Sequence, residues 1–303
     1  MQHTSEVDFI ARLNLGVQDQ FPHLRKGPGD DCAVVDLTTG TLITTDMLMD
    51  GVHFQAEKTA AELIGRKAAA VNLSDIAAMG GQPIGLQVAL ALPRGCGSDW
   101  AVALMQGLIN LARSFGTSVT GGDTNSWPGP LVICVTAFGA SPPQGPVLRS
   151  GARAGDLVMV SGPLGGSLHT GRHLRFTPRC KEASVIVDQL APSSMIDISD
   201  GLATDLSHLA KASRVSIRIN AASVPIHADV PLEWSPDRRL DAALTDGEDF
   251  ELCFTISPQK QASAEQLGCH VIGSVESEQE HALLLNKNAV IRPLTLRGWS
   301  HDF

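Results

Sequence analysis

The sequence predicts a two-domain α/β (α+β) protein, and three observations carry that expectation. Short β-rich runs alternate with longer helical patterns along all 303 residues, a length that holds about two domains, each with its own core. Hydrophobic residues make up 43% of the chain, enough to bury sheets and helices in both halves. The segment Ser141 to Gly155, rich in Pro and Gly, breaks the pattern near the middle. The boundary is placed there, giving an N-terminal domain of residues 1–140 and a C-terminal domain of residues 141–303.

The elements follow in order. Strands are expected over Cys32 to Val35 and Thr41 to Thr45. A helix from Ala60 to Met79 is apolar on nearly every side, yet carries Asn72 and Asp75 three residues apart, hence on one face. After a strand at Leu86 to Leu92, the spacing of Trp100, Leu104, Leu108, Leu111 and Phe115 predicts a helix over Asp99 to Phe115, with Ser98 as N-cap and Gly116 as stop. Leu131 to Phe138 reads as the last strand of the first half. In the second half, strands are expected at Leu157 to Ser161, Met195 to Ile198, Val215 to Ile219, Glu251 to Ile256 and Val271 to Val275, with a helix beginning near Ser199.

Charge and cysteine usage narrow the function. With 32 acidic against 23 basic residues and a net charge of -9, nonspecific nucleic-acid binding is not expected, since it relies on neutralising phosphates with basic groups. The six cysteines are scattered without a metal-like spacing and read as reduced cytosolic thiols. No basic segment followed by an apolar stretch opens the chain, and no run of about 18 apolar residues occurs, so a cytoplasmic protein is expected.

The informative feature is a set of carboxylates in apolar or Gly-rich surroundings: Asp31 in Gly29-Asp30-Asp31, Asp46 after Thr44 and Thr45, Asp75 inside the apolar helix, Asp123 after Gly121-Gly122, and Asp197 and Asp200 around Ser199. An isolated buried carboxylate is costly, so such groups neutralise, pair with a cation or ligate metal. Each Asp alone fits turn or cap chemistry. Together they favour hard oxygen ligands for Mg²⁺ bridging phosphate oxygens. No Gly-rich phosphate loop with Lys and no dinucleotide fingerprint is present, so a nucleotide would be held through that metal set. His53 near a turn, Arg149 in a loop, Glu248 in an acidic turn and Trp299 near the end each read equally as structural or exposed groups.

Gly29-Asp30-Asp31-Cys32-Ala33, Thr44-Thr45-Asp46, Gly51-Val52-His53-Phe54, Asn72 to Gly80, Gly121-Gly122-Asp123-Thr124, Ile196 to Leu202 and Gly247 to Leu252 occur in the order seen in thiamine-monophosphate kinases, and the chain resembles that family over nearly its whole length. The resemblance implies an aminoimidazole ribonucleotide synthetase-like fold whose N-terminal domains pair into a β-barrel-like homodimer interface. It implies ATP-dependent phosphorylation of thiamine monophosphate to thiamine diphosphate by in-line transfer, with several Mg²⁺ ions. Carried over by motif, Asp31, Thr44, Thr45, Asp46, Asp75, Asp123, Asp197 and Asp200 are similar to metal-site residues, with Asp46, Asp75 and Asp123 central to catalysis. Gly122, Asp123, Arg149 and Ser199 resemble nucleotide contacts, and His53, Glu248 and Trp299 resemble contacts to the thiamine phosphate. After Gly165 the chain departs from the family pattern: Gly166-Ser167 leads quickly to His173-Leu174-Arg175, so the C-terminal wall of the site is expected to be reshaped. The alternatives are another ATP-using enzyme of the same superfamily and a non-catalytic ATP- and Mg²⁺-binding paralogue.

Overall fold

The computed structural model describes residues 24–26, 34–35 and 40–294. Asp30, Asp31 and Trp299 lie outside the described residues. The chain divides into two compact units, one reaching Ile76 and resuming over Gly81–Pro143, the other comprising Ala77–Gly80 and the chain from Gln144 onward.

In the first unit, β1 (Leu24–Lys26) and β2 (Val34–Val35) form a small antiparallel ladder. The main sheet contains β3 (Thr41–Met49), then, after helix α1 (Ala61–Ala78), β4 (Gln82–Pro93), and, after helix α2 (Ser98–Ser114), β5 (Val119–Trp127) and β6 (Val132–Ala140). Its order is β3-β6-β4-β5, four strands open at both edges among the described residues. The β4–β5 pair is parallel and the rest antiparallel. Strict alternation along β3 and β6 turns Leu42, Thr44, Asp46, Leu48, Ile133, Val135 and Ala137 to one face. That face is covered by α1, whose Ile76 would touch any Cβ placed at Gly139 or Gly81.

The two helices pack unusually close. A Cβ at Gly65 of α1 would sit 1.8 Å from Leu104 O of α2, and one at Gly107 of α2 would sit 1.9 Å from Glu62 O of α1. The reciprocal glycines let the backbones touch, which explains two helix-weakening residues inside otherwise well-formed helices. The expected cap at Ser98 is not made: Ser98 is the first helical residue and Gly97, with φ 84°, precedes it without a side-chain cap. Gly116 does stop the helix, in the left-handed conformation at φ 68°. The strands expected at Thr41 to Thr45 and Leu86 to Leu92 are each about four to five residues longer, because pairing with β6 carries them past their apolar runs.

The second unit is built on a sheet of seven strands: β7 (Leu157–Val160), β8 (Ser194–Asp197), β9 (Val215–Asn220), β10 (Leu252–Ile256), β11 (His270–Ser277), β12 (Leu283–Lys287) and β13 (Val290–Pro293). The order is β13-β12-β9-β11-β7-β10-β8, with β12–β9 the one parallel pair. Its helices are α3 (Ser167–Thr170), α4 (Cys180–Leu190), α5 (Leu202–Ser213), α6 (Pro236–Thr245) and α7 (Gln261–Gln266). Val158, Val160, Ile196 and Cys253 join α5 and α6 in one core cluster. The intervening Met159, Met195 and Phe254 are equally buried on the opposite face. Burial on both faces is why these strands read as continuous apolar runs rather than alternating ones.

Candidate active site

Each unit presents its own group of the residues singled out by sequence. In the first, the Thr44 hydroxyl donates to the Asp75 carboxylate, joining β3 to α1. Asp46 follows two residues after Thr44 on the same face of β3, about 7 Å along the strand. Asn72, one turn before Asp75, is fully buried; its amide nitrogen donates to Ala68 O, and its amide oxygen has no hydrogen-bond partner among the described residues. The Asp75 carboxylate and the orphaned Asn72 amide oxygen on adjoining turns of α1, with the Thr44 hydroxyl of β3, are hard oxygen donors of the kind that suits Mg²⁺. Thr45 points to the opposite face, its hydroxyl donating to Val135 O at 3.0 Å and lying 3.0 Å from Thr136 Oγ1.

Gly122 and Asp123 stand on the far edge of the sheet. Asp46 pairs with Val135, Val135 with Val88 and Val88 with Gly122, so three strand spacings, about 14 Å along the sheet, separate the two edges. A Cβ at Gly122 would fall 1.9 Å from Val88 O, so the close approach of β5 to β4 requires glycine. Asp123 is exposed and accepts a 3.0 Å hydrogen bond from Asn125 Nδ2. The Gly121–Asp123 stretch, to which no element was assigned from the sequence, is strand.

His53 sits in a tight loop after β3. Met49 N–H donates to its Nδ1 at 3.0 Å, which leaves the proton on Nε2. Lys67 of α1, only 1% exposed, donates from Nζ to His53 O at 2.8 Å. This buried lysine was not recognised in the sequence, although a Lys inside a nearly all-apolar helix is a signal of the same kind as Asp75.

In the second unit, β8 ends at Asp197, and the chain turns through Ser199 and Asp200 into α5. The helix begins at Leu202, later than expected, because Gly201 at φ 108° breaks the backbone before it. Asp205 in the first turn of α5 accepts from Asp200 N–H at 3.1 Å. Burial first, then the Asp197 and Asp200 carboxylates, push the Asp205 carboxyl up to about 8. Asp200, Asp205 and His208 place one ligand atom each within 4.8 Å of one another. Three carboxylates crowded at a helix start are an unfavourable arrangement that a cation relieves. Asp205, five residues beyond Asp200, was overlooked because it reads as an ordinary helix residue.

Glu248 belongs to the same end of the second unit. Gly247, Glu248 and Phe250 all adopt the left-handed conformation, at φ 71°, 55° and 52°, and the two side-chain-bearing residues cost about 1–2 kcal/mol each there. Glu248 N–H donates to Ser199 O at 2.7 Å and Phe250 N–H to Ile198 O at 2.8 Å, which clamps the turn onto the Ser199–Asp200 segment. Arg149 is exposed and lies by the other end of β8, where Met195 N–H donates to the adjoining Leu148 O. The structure thus gathers Asp197, Ser199, Asp200 and Glu248, and leaves Arg149 apart from them within this unit.

The family model described as AIR synthase related protein, N-terminal domain, matches residues 29–141. Thiamine-monophosphate kinase of Rhodopirellula baltica is 38% identical over 271 residues, covering 86% of this chain and 84% of the relative. The Escherichia coli (strain K12) thiamine-monophosphate kinase is 33% identical, with 98% of each chain covered. The crystal structure of thiamine-monophosphate kinase from Stenotrophomonas maltophilia K279a superposes with a TM-score of 0.79 at 33% identity, covering 94% of this chain and 96% of that one. The structure described as AaThiL complexed with AMPPCP and TMP gives a TM-score of 0.77 at 28% identity, covering 100% and 98%. The chain belongs to the thiamine-monophosphate kinase family.

Proposed function

We infer that this protein transfers the γ-phosphoryl group of ATP to thiamine monophosphate, giving thiamine diphosphate. The observation that carries the reading is the Thr44–Asp75 contact, together with the Asp197–Ser199–Asp200–Glu248 cluster, in a chain that matches kinases of this name over most of its length. The acceptor is a phosphate oxygen, already anionic near neutral pH, so the reaction needs alignment and charge neutralisation rather than a strong base. Asp31, Thr44, Thr45, Asp46, Asp75, Asp123, Asp197 and Asp200 are the proposed holders of Mg²⁺, which when bound would neutralise charge on the phosphate oxygens. Gly122, Asp123, Arg149 and Ser199 are the proposed nucleotide contacts, with His53, Glu248 and Trp299 on the acceptor side.

A chromatographic assay with ATP, Mg²⁺ and thiamine monophosphate should yield thiamine diphosphate, whereas unphosphorylated thiamine should yield none. Bound ATP without product from the monophosphate would instead mark a divergent or non-catalytic member of the class.

A homodimer fits the same reading. The face of the four-stranded sheet turned away from the helices exposes Ile43 (65%), Met47 (56%) and Met49, an apolar strip along the edge strand β3. Such strips on an open sheet mark association surfaces, and a second copy of the same sheet is the partner proposed. Met47→Glu is expected to shift the protein from dimer to monomer in sedimentation velocity. A dimer that persists at micromolar concentration in that variant would move the interface elsewhere. No helix among the described residues is long and apolar enough to cross a membrane, and a cytoplasmic location is proposed.

A further inference from the structure

The segment after Gly165, where the chain departs from the family pattern, folds directly onto the Glu248 turn. Gly165 N–H donates to both oxygens of Asp249, at 3.0 and 2.9 Å, and Gly166 N–H donates to Asp246 Oδ2 at 2.9 Å. The Ser167 hydroxyl donates to Glu248 O at 2.6 Å. Phe176 stacks on Phe250 with ring centroids 4.1 Å apart. Between these contacts, in the short 3₁₀ turn Arg172–Leu174, the buried His173 places Nδ1 3.3 Å from Glu248 Oε2. The main chain of Glu248 is therefore fixed from two sides, by Ser199 and by Ser167, and its carboxylate meets an imidazole supplied by the departing segment.

We propose that His173 is a positioning residue that orients the Glu248 carboxylate toward the cationic ring system of the acceptor, and so tunes acceptor affinity. The inference rests on the reading of Glu248 as an acceptor contact. A carboxylate attracts a cationic heterocycle most strongly when it is held in one rotamer, and an imidazole packed 3.3 Å from one of its oxygens restricts that rotamer. His173 itself needs no contact with the acceptor. The segment after Gly165, though short, then completes the wall of the site through this one side chain.

The test is a double-mutant cycle on the full chain, read by steady-state kinetics with each substrate varied in turn. His173→Ala should raise KM for thiamine monophosphate by roughly tenfold, as expected when a carboxylate loses the imidazole that holds its rotamer. KM for ATP and kcat should change by less than about twofold, and His173→Asn, which keeps an N–H near the Nδ1 position, should recover most of the loss. Glu248→Ala should raise the same KM at least as far, and adding His173→Ala to it should do nothing more. If Glu248→Ala raises KM while His173→Ala and His173→Asn do not, or if the two effects simply multiply, the positioning role is overturned. If Glu248→Ala itself leaves KM for the monophosphate unchanged, the acceptor role of Glu248 fails, and the inference falls with it for that separate reason. A general drop in kcat and both KM values, with a lowered unfolding midpoint in both His173 variants, would make His173 structural and also overturn the proposal.

Discussion

Asp75→Asn is expected to lower turnover by roughly a hundredfold or more while leaving the unfolding midpoint unchanged. The two halves of that expectation come from the same geometry. Asp75 lies in α1 among buried apolar residues, and its carboxylate receives the Thr44 hydroxyl. Asparagine has nearly the same shape and its amide oxygen accepts that hydrogen bond equally, so the junction between β3 and α1 survives. What disappears is the charge of a half-buried carboxylate, and with it the attraction for Mg²⁺. A residue kept for stability would behave in the opposite way. Turnover measured across a range of Mg²⁺ concentrations, beside thermal unfolding followed by circular dichroism, reads both halves at once. Full activity at saturating Mg²⁺ would remove Asp75 from the proposed metal set, and a large fall in the midpoint would make it a structural group.

The parts of this molecule legible in the sequence are those where one residue's neighbours already conflict with its chemistry. Asp75 in an apolar helix and Asp46 at the end of an apolar run announced themselves, and both sit on the half-buried face of the first unit. Five of the seven strands of the second sheet, β7 to β11, were visible as apolar runs, helped by burial on both faces, whereas β12 and the exposed β13 were missed. Strand β5 was missed because Val119–Trp127 is rich in Gly, Asp, Asn and Ser, turn residues by composition, and only lateral pairing with β4 makes it extended. Helices α4 and α6 left no clear signal, since their polar faces dilute short apolar stripes. Asp205, Arg172 and His173 act through partners distant in sequence or across a turn, and nothing in local spacing marks them, whereas Lys67 was marked by its apolar helix and overlooked. Sequence patterns reveal what a residue needs, while its partner is set by the tertiary fold.

Arg172→Ala is expected to destabilise the second unit by about 3–5 kcal/mol, the cost of stripping one member from a buried ion pair. Arg172 Nη2 lies 2.8 Å from Asp249 Oδ1 and 2.9 Å from Gly165 O, and its Nε lies 2.7 Å from Asp229 Oδ2. The Asp249 side chain is 1% exposed, and burial pushes its carboxyl up to about 6, with the Gly165 amide and Arg172 restraining the rise. A folded-state pKa above the unfolded value means the native protein holds a proton the unfolded chain releases, so this group's contribution falls as pH rises from about 4 to about 6. Without Arg172 the restraint is gone and the penalty extends to higher pH. The gap between wild type and Arg172→Ala, measured by urea unfolding, should therefore be smallest near pH 4 to 5 and widen toward pH 8. Because the same pair anchors the turn that carries Glu248, acceptor binding should weaken in the variant even where it remains folded. Neutralising both partners, as in Arg172→Met with Asp249→Asn, should recover part of the stability, since a buried pair replaced by neutral groups costs less than one left half broken. A gap below about 1 kcal/mol, or one that does not change with pH, would show that Asp249 is satisfied without Arg172.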